Sequence, residues 1–344
     1  MTLRIGMVGA GKTAFKIARR LAAYPDVKIV AVADHSRPER DLFTKTFGCP
    51  LSTGDYERLI LNSSVDVIYI ASPPSTRSGI AVDSLKADKH VICEQPMAIT
   101  LSQADEVIDA ESKSGGRLFV ALPQLYDPVN QEAARMIDAD EIGFPYLVLS
   151  TYLENNFDRL SDWHDWMGTW DVGGGGILMH RGSEIIDLLI YLLGSVEAVS
   201  AVCTRFAVGA LNKAEDSCLL EMEFTEEIAA QMVMTGAARY SAWPNPYSGC
   251  ALRLDIYGMD GAIQIINSEH RLLLSSKGTR LRQIDESEIK TDLPTDMYRN
   301  FIDCILQDDE PLVTSKQARD ALRVILAGYK ASQMKRRVEI MEHI

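Results

Sequence analysis

Apolar residues fall along this chain in two rhythms. Up to about residue 122, short continuous runs alternate with stretches of helical spacing. The runs are LRIGMV from Leu3, VKIVAVAD from Val27, VDVIYIAS from Val65 and HVICE from His90; the helical stretches include FKIARRLAAY from Phe15 and a segment from about Arg77 to Ala87. Unbroken apolar runs rich in branched residues suit strands buried on both faces, so this alternation predicts a parallel sheet covered by helices. From about Pro145 the period becomes two, in YLVLSTYLE, VEAVSAVCTRF, SCLLEMEF, IAAQMVMTG, LRLDIYG and AIQII. That alternation predicts an antiparallel sheet with one covered face. Between its first two strands lies GGGGILMHRGSEIIDLLIYLLG, a glycine run feeding an amphipathic helix that should stop at Gly194. Two further helices are expected from about Asp296 to Met334, split by Pro311.

Composition narrows the field. At 344 residues the chain exceeds the size at which a single core stops growing, so two domains are expected. Hydrophobic residues make up 47% and charged residues 24%, the balance of an ordinary soluble globular protein. The formal net charge of -13 argues against nucleic-acid and anionic-membrane partners, both of which need basic patches. A small-molecule substrate is the better expectation. No apolar run is long enough to cross a bilayer, and MTLRIGMVGAG enters a strand without the layout of a signal peptide, which points to a cytoplasmic protein. Cys49, Cys93, Cys203, Cys218, Cys250 and Cys304 are scattered without a C-x-x-C pair, and reduced, mostly buried thiols are expected.

One motif carries specific chemistry. Gly9-Ala10-Gly11-Lys12-Thr13-Ala14 fits G-x-G-x-x-G/A, directly after a strand and at the opening of a helix. Gly9 permits the tight turn, Gly11 lets backbone approach a pyrophosphate, and Ala14 keeps the helix close to the sheet. The helix start offers unpaired N–H groups and positive dipole to the phosphates. Asp34 ends the second strand, where a carboxylate accepts hydrogen bonds from an adenosine ribose. It favours NAD because it would repel a 2′-phosphate, while Ser36 and Arg37 keep NADP open.

Several pieces together resemble the glucose-fructose oxidoreductase, inositol dehydrogenase and MocA family. They are GMVGAGKTA, ASPPSTR at Ala71 to Arg77, the HVICEQP turn, DEIGFPYLV, the glycine-led helix with Asp187, and the closing ALRVILAGYKAS. The resemblance implies an α/β N-terminal Rossmann domain over residues 1–122. It also implies an α+β C-terminal domain over residues 123–344, with an open, mainly antiparallel sheet and a late helix packing back toward the first domain. It further implies hydride transfer between a nicotinamide cofactor and a ring hydroxyl of a sugar or inositol, and homodimers or homotetramers formed through the open sheet. By the same resemblance, Ser72, Pro73, Glu94 and Gln95 join Gly9, Gly11, Lys12, Thr13, Ala14, Asp34 and Arg37 around the cofactor.

Four departures bear on chemistry. Gln95 stands where the family typically has lysine, Arg77 where a histidine is frequent, and Leu125 where an arginine is frequent. His180 and Glu184 replace the family's aspartate and, four residues later, histidine. Removing hydride from a carbinol carbon requires a base for the hydroxyl proton, and Gln95 can hydrogen-bond but cannot take that proton. His180 and Glu184, four residues apart on one helical face, are the expected acid/base and its orienting or hydroxyl-binding partner. Arg77, Tyr152, Trp163 and His164 are further substrate candidates; Trp166, Trp170, Glu154 and Asn155 lie near them in sequence. A metal at His180 and Glu184 would lack a third ligand at sensible spacing, so none is expected. Without the family lysine, two alternatives stay open. One is a cofactor-binding regulator without dehydrogenase activity; the other is a redox-neutral lyase or hydrolase that retains NAD.

Overall fold

The computed structural model of the protein describes residues 2–157, 159, 162, 165–205, 214–238, 250–267, 270–276, 281–289 and 291–340. The chain packs as two units, Met1–Leu122 with Asp296–Arg319, and Pro123–Thr295 with Asp320–Ile344.

In the first unit six strands form one sheet in the order β3-β2-β1-β4-β5-β6. They are β1 (Leu3–Val8), β2 (Val27–Ala33), β3 (Leu51–Thr53), β4 (Val67–Ile70), β5 (His90–Cys93) and β6 (Leu118–Val120), and all pairs are parallel. The unbroken apolar runs are explained by burial on both faces: every residue of β4 is buried. The connecting helices are α1 (Lys12–Leu21), α2 (Arg37–Phe47), α3 (Glu57–Ile60), α4 (Pro74–Lys86) and α5 (Leu101–Ser112). Helix α1 buries Ala14, Ile17, Ala18 and Leu21, an i, i+3, i+4, i+7 stripe, and carries Arg19 and Arg20 at its negative end. Helix α4 starts at Pro74 rather than near Arg77, because Pro74 takes a first-turn position where its missing N–H costs nothing. The order of strands reverses between β1 and β4, the place where open parallel sheets bind ligands.

Among the described residues, the second unit has nine strands in the order β14-β13-β12-β11-β7-β10-β9-β8-β15. They are β7 (Pro145–Glu154), β8 (Val196–Thr204), β9 (Ser217–Phe224), β10 (Ala229–Thr235), β11 (Cys250–Gly258), β12 (Gly261–Ile266), β13 (Arg271–Ser276), β14 (Arg282–Ile284) and β15 (Val338–Glu339). All pairs are antiparallel except β7 with β10. The sheet is therefore mixed but mainly antiparallel, as the period-two pattern implied. On β9 the alternation is complete: Cys218, Leu220, Met222 and Phe224 are buried, while Leu219, Glu221 and Glu223 are exposed. Val202, Leu219 and Tyr146 are large apolar side chains left exposed. Two helices of this unit are α6 (Pro128–Asp138) and α7 (Ser183–Leu193), the latter ending at Gly194 with φ +90°.

Two helices close the chain, α8 (Met297–Gln307) and α9 (Ser315–Met334). Helix α8 belongs to the first unit, where its cap Asp296 accepts from the Tyr298 and Arg299 amides and from the Tyr24 hydroxyl at 2.7 Å. Arg299 pairs with Asp26 at 2.9 Å, and the Phe301 ring lies 4.8 Å from that of Phe119. Among the described residues no helix is long and apolar enough to cross a membrane.

Candidate functional site

The glycine turn after β1 is built around two positions with opposite surroundings. Gly9 has φ +107°, and a Cβ there would lie 2.8 Å from the Ala71 carbonyl oxygen. Gly11, the N-cap of α1, meets nothing within 4 Å of where its Cβ would be, and no side chain caps the helix start. Open space before uncapped amides is what a pyrophosphate needs. Asp34 ties the turn to the end of β2. Its Oδ2 accepts from the Ala10 N–H and its Oδ1 from the Ser36 N–H, both at 2.8 Å. A carboxylate offers about four acceptor sites, so two bonds leave room for ribose hydroxyls. Arg40 donates to the carbonyls of Asp34 and His35, which fixes the same corner. Arg37 points outward, its side chain 83% exposed and 3.7 Å from Asp41. Lys12 and Thr13 are exposed at the helix start and Ala14 is buried beneath it.

Loops after β4 and β5 are joined by Arg77. Its side chain is buried, with the residue 6% exposed, and donates to the carbonyls of Ser72 at 2.7 Å, Glu94 at 3.1 Å and Pro96 at 3.0 Å. Burial lowers its pKa, but a guanidinium stays charged in proteins, and the carbonyl dipoles answer that charge. Pro73 caps α4, and the Ser72 hydroxyl accepts from Thr76 at 2.9 Å. Gln95 stands in this loop, before a cis peptide to Pro96. Glu94 accepts from the buried Tyr69 hydroxyl, which lies 3.4 Å from that of Tyr298. Burial raises the Tyr69 phenol well above its usual value and pushes Tyr298 up to about 12, so both remain protonated donors at neutral pH.

In the second unit the glycine run wraps a carboxylate that the sequence reading did not single out. Glu215, 2% exposed, accepts from the Gly176 N–H at 2.9 Å, the Leu178 N–H at 3.0 Å and the Tyr329 hydroxyl at 2.7 Å. Tyr329 also accepts from the Met179 N–H at 3.1 Å. Two glycines are required here. A Cβ on Gly175, which has φ +150°, would lie 2.1 Å from the Tyr329 hydroxyl oxygen, and one on Gly176 would lie 1.8 Å from the Glu215 carbonyl oxygen. Burial pushes the Glu215 carboxyl up to about 7, against the pull of its three donors.

That shift predicts a pH effect. Because the folded pKa lies above the ordinary value of 4.5, the stability this group contributes is fully present below that value and is lost as pH rises through about 7. Glu215→Gln loses an acceptor and sets an NH2 against a buried N–H, at a cost on the order of 5 °C in Tm. Thermal melts of both proteins across that window should show wild type leading most at the acid end and the gap narrowing toward pH 8. A gap independent of pH would refute the buried titration.

The helical run beyond the glycines opens with a π-helical turn, Leu178–Gly182, before α7 begins at Ser183. A single α-helix was expected from the spacing; the wider turn means that the four-residue separation of His180 and Glu184 does not follow ordinary α geometry. His180 is 7% exposed, with its ring edge-on to Trp166 at 5.1 Å, and its Nε2 lies 3.1 Å from where a Gly173 Cβ would sit. Next to it, Arg181 bridges two carboxylates. It donates to both Glu154 oxygens, at 2.9 and 3.2 Å, and to Glu184 at 3.2 Å. Burial would depress the guanidinium, but Glu184 and Glu154 outweigh it and hold its pKa above the ordinary value. Tyr152 is buried on β7, two residues before Glu154. The structure thus gathers Arg181, Glu184 and Glu154, while the ring of the adjoining His180 packs against Trp166 and Gly173. Leu125 is a buried core residue. The aromatic candidates Trp163 and His164 lie outside the described residues; Trp170 packs edge-on to Tyr329 at 4.7 Å. Arg181 was legible in principle, standing between His180 and Glu184 at i+3 spacing from the glutamate. Glu215 gave no such signal.

A six-stranded parallel sheet, a glycine turn opening α1 and a carboxylate at the end of β2 together define the dinucleotide-binding, doubly wound class. Within that class the chain belongs to the Gfo/Idh/MocA family: residues 3–122 match its "Oxidoreductase family, NAD-binding Rossmann fold" and residues 134–340 its "Oxidoreductase family, C-terminal alpha/beta domain". The myo-inositol 2-dehydrogenase of Thermotoga maritima is 22% identical over 99% of this chain and 100% of its own. An oxidoreductase of Bacillus subtilis (strain 168), YrbE, is 24% identical over 76% of this chain and 73% of its own. Among solved structures, levoglucosan dehydrogenase in complex with NADH shares the fold with a TM-score of 0.87 at 19% identity, covering 99% of this chain and 100% of that one.

Proposed function

We propose that the protein oxidises a ring hydroxyl of a sugar, inositol or related cyclic alcohol, with NAD as hydride acceptor and His180 as the acid/base. The observation that carries this reading is the Arg181 bridge between Glu154 and Glu184 beside His180. One cation shared by two carboxylates presents hydrogen-bond acceptors and an excess of negative charge, which suits a neutral polyol better than a sugar acid. The relatives' names, an inositol and an anhydrosugar dehydrogenase, support the same class. The preference for NAD rests on Asp34, whose carboxylate would repel a 2′-phosphate.

Bound NAD would supply the hydride acceptor. The chain's own residues do the rest. Amides at the start of α1 hold phosphate, Asp34 holds ribose, and Gln95 offers its amide as a hydrogen-bond partner without taking a proton. His180 takes the hydroxyl proton at an imidazole nitrogen, and its burial among Trp166 and the glycines keeps water from competing. Glu184, held by Arg181, accepts a neighbouring substrate hydroxyl. The open face of the second sheet, with Val202, Leu219 and Leu149 exposed, is the surface by which we read a homodimer or homotetramer.

Single-turnover reduction of NAD, followed by absorbance with inositols, aldoses, sugar acids and alicyclic diols, tests the reading. A burst with a neutral cyclic alcohol is expected. His180→Ala should lower that rate by roughly 100- to 10,000-fold with NAD affinity unchanged. Undiminished turnover in the variant would remove His180 from the mechanism, and a panel with no reduction of bound NAD would overturn the dehydrogenase assignment to this substrate class.

A further inference from the structure

Cys203 and Cys218 stand directly opposite one another on the antiparallel strands β8 and β9, with their sulfurs 3.6 Å apart. Both are free thiols. The Cys203 N–H is not spent on β9; it donates to the Ser332 hydroxyl on α9 at 2.9 Å. This marks a pair whose backbones do not exchange hydrogen bonds, the closer of the two antiparallel arrangements, in which Cα atoms come within about 4.5 Å. That separation falls inside the range a disulfide spans.

We propose that Cys203 and Cys218 form a reversible disulfide site, closed by exchange with a small anionic disulfide. The site stands independently of the substrate reading above. Cys203 is the entry point, because it is half-buried while Cys218 is only 1% exposed. Lys335 and Arg336 follow three and four residues beyond Ser332, the acceptor of the Cys203 N–H, and their charge draws an anionic reagent. The Cys203 thiolate attacks one sulfur of the reagent; the reagent's S–S bond breaks, and one small thiolate leaves and takes a proton. Cys218 then gives up its proton and attacks the Cys203 sulfur, forming the Cys203–Cys218 bond and expelling the second small thiol. Two protein thiols are oxidised and one small disulfide is reduced to two thiols. The hydrogen bond to Cys203, followed by burial, raises the Cys218 thiol far above its usual value, so the closing step is the slow one.

The bond would act on the glycine-run site through two short connections. Cys218 lies three residues beyond Glu215, and Ser332 lies one turn beyond Tyr329 on α9; Glu215 and Tyr329 are the side chains that hold the Gly176–Met179 backbone. Drawing the sulfurs from contact to bonding distance pulls on both.

The test incubates the full-length protein with excess oxidised glutathione, quenches with acid and maps peptides by mass spectrometry without reduction. A Cys203–Cys218 cross-linked peptide with the loss of two hydrogens is expected, together with a rise in Tm of several degrees that dithiothreitol reverses. Cys203→Ser and Cys218→Ser should each lack the cross-link and the reversible rise. Wild-type protein that carries only glutathione on Cys203, or that keeps both thiols free after prolonged treatment, would overturn the proposal. Because the peptide map is made on wild type, it stands whether or not either variant folds.

Discussion

Gly176→Ala is expected to lower Tm by about 6–12 °C and to leave a protein without dehydrogenase turnover. The added methyl would lie 1.8 Å from the Glu215 carbonyl oxygen, 2.8 Å from its carbonyl carbon and 2.9 Å from its Cδ. Two of those three atoms are backbone, so no rotamer change relieves the clash. Either the glycine run moves away from β9 or the start of β9 moves, and in both cases the bonds from Gly176 and Leu178 to the Glu215 carboxylate are lost. A buried carboxyl deprived of its donors costs about 1–3 kcal/mol beyond the overpacking itself. The same displacement carries the following π-helical turn, and with it His180, whose N–H bonds back to the Gly176 carbonyl at 3.1 Å. Turnover should therefore fall further than stability. Thermal melts and single-turnover rates on the same preparation separate the two effects; a variant with wild-type Tm would show that the run has slack which its contacts deny.

Gly9→Ala should weaken NAD binding by at least about tenfold while the protein stays folded. At φ +107° an L residue is strained, by about 1–2 kcal/mol, and the methyl would sit 2.8 Å from the Ala71 carbonyl oxygen. The turn can relax only by shifting Ala10, whose N–H is held by Asp34 at 2.8 Å. The amides at the start of α1 and the Asp34 carboxylate are thus displaced by one substitution. Titration of the variant with NAD, by quenching of protein fluorescence, checks this. Gly11→Ala is the informative companion: its methyl meets no protein atom within 4 Å, so it should fold normally and lose affinity only by crowding the phosphate. Equal affinity in all three proteins would mean that phosphate does not bind at this turn.

How much of this was legible beforehand follows from the distance, along the chain, between the partners in each interaction. The parallel sheet, the glycine turn and the place of Asp34 at the end of β2 could be read directly. Each strand–turn–helix is local, and a right-handed crossover puts the end of β2 beside the end of β1, so Ala10 and Asp34 meet although they are 24 residues apart. The two-rhythm pattern likewise fixed a mainly antiparallel second sheet, because a period of two has few other solutions. The family motifs located the candidate pair His180 and Glu184.

What the chain alone determined is therefore its class: two sheets of known kind, a dinucleotide turn, and a histidine and carboxylate after a glycine run. Tertiary structure decided the environment of that pair. Glu215 reaches Gly176 across 39 residues, Tyr329 reaches Glu215 across 114, and Arg181 finds Glu154 across 27. A buried polar group is stable only where distant backbone brings it donors, and hydrophobic periodicity records which face is buried, not which partner waits there. The π-helical turn belongs with these contacts: the spacing of GILMHRGSE fits an ordinary helix, and its wider winding is a feature that only the folded structure displays.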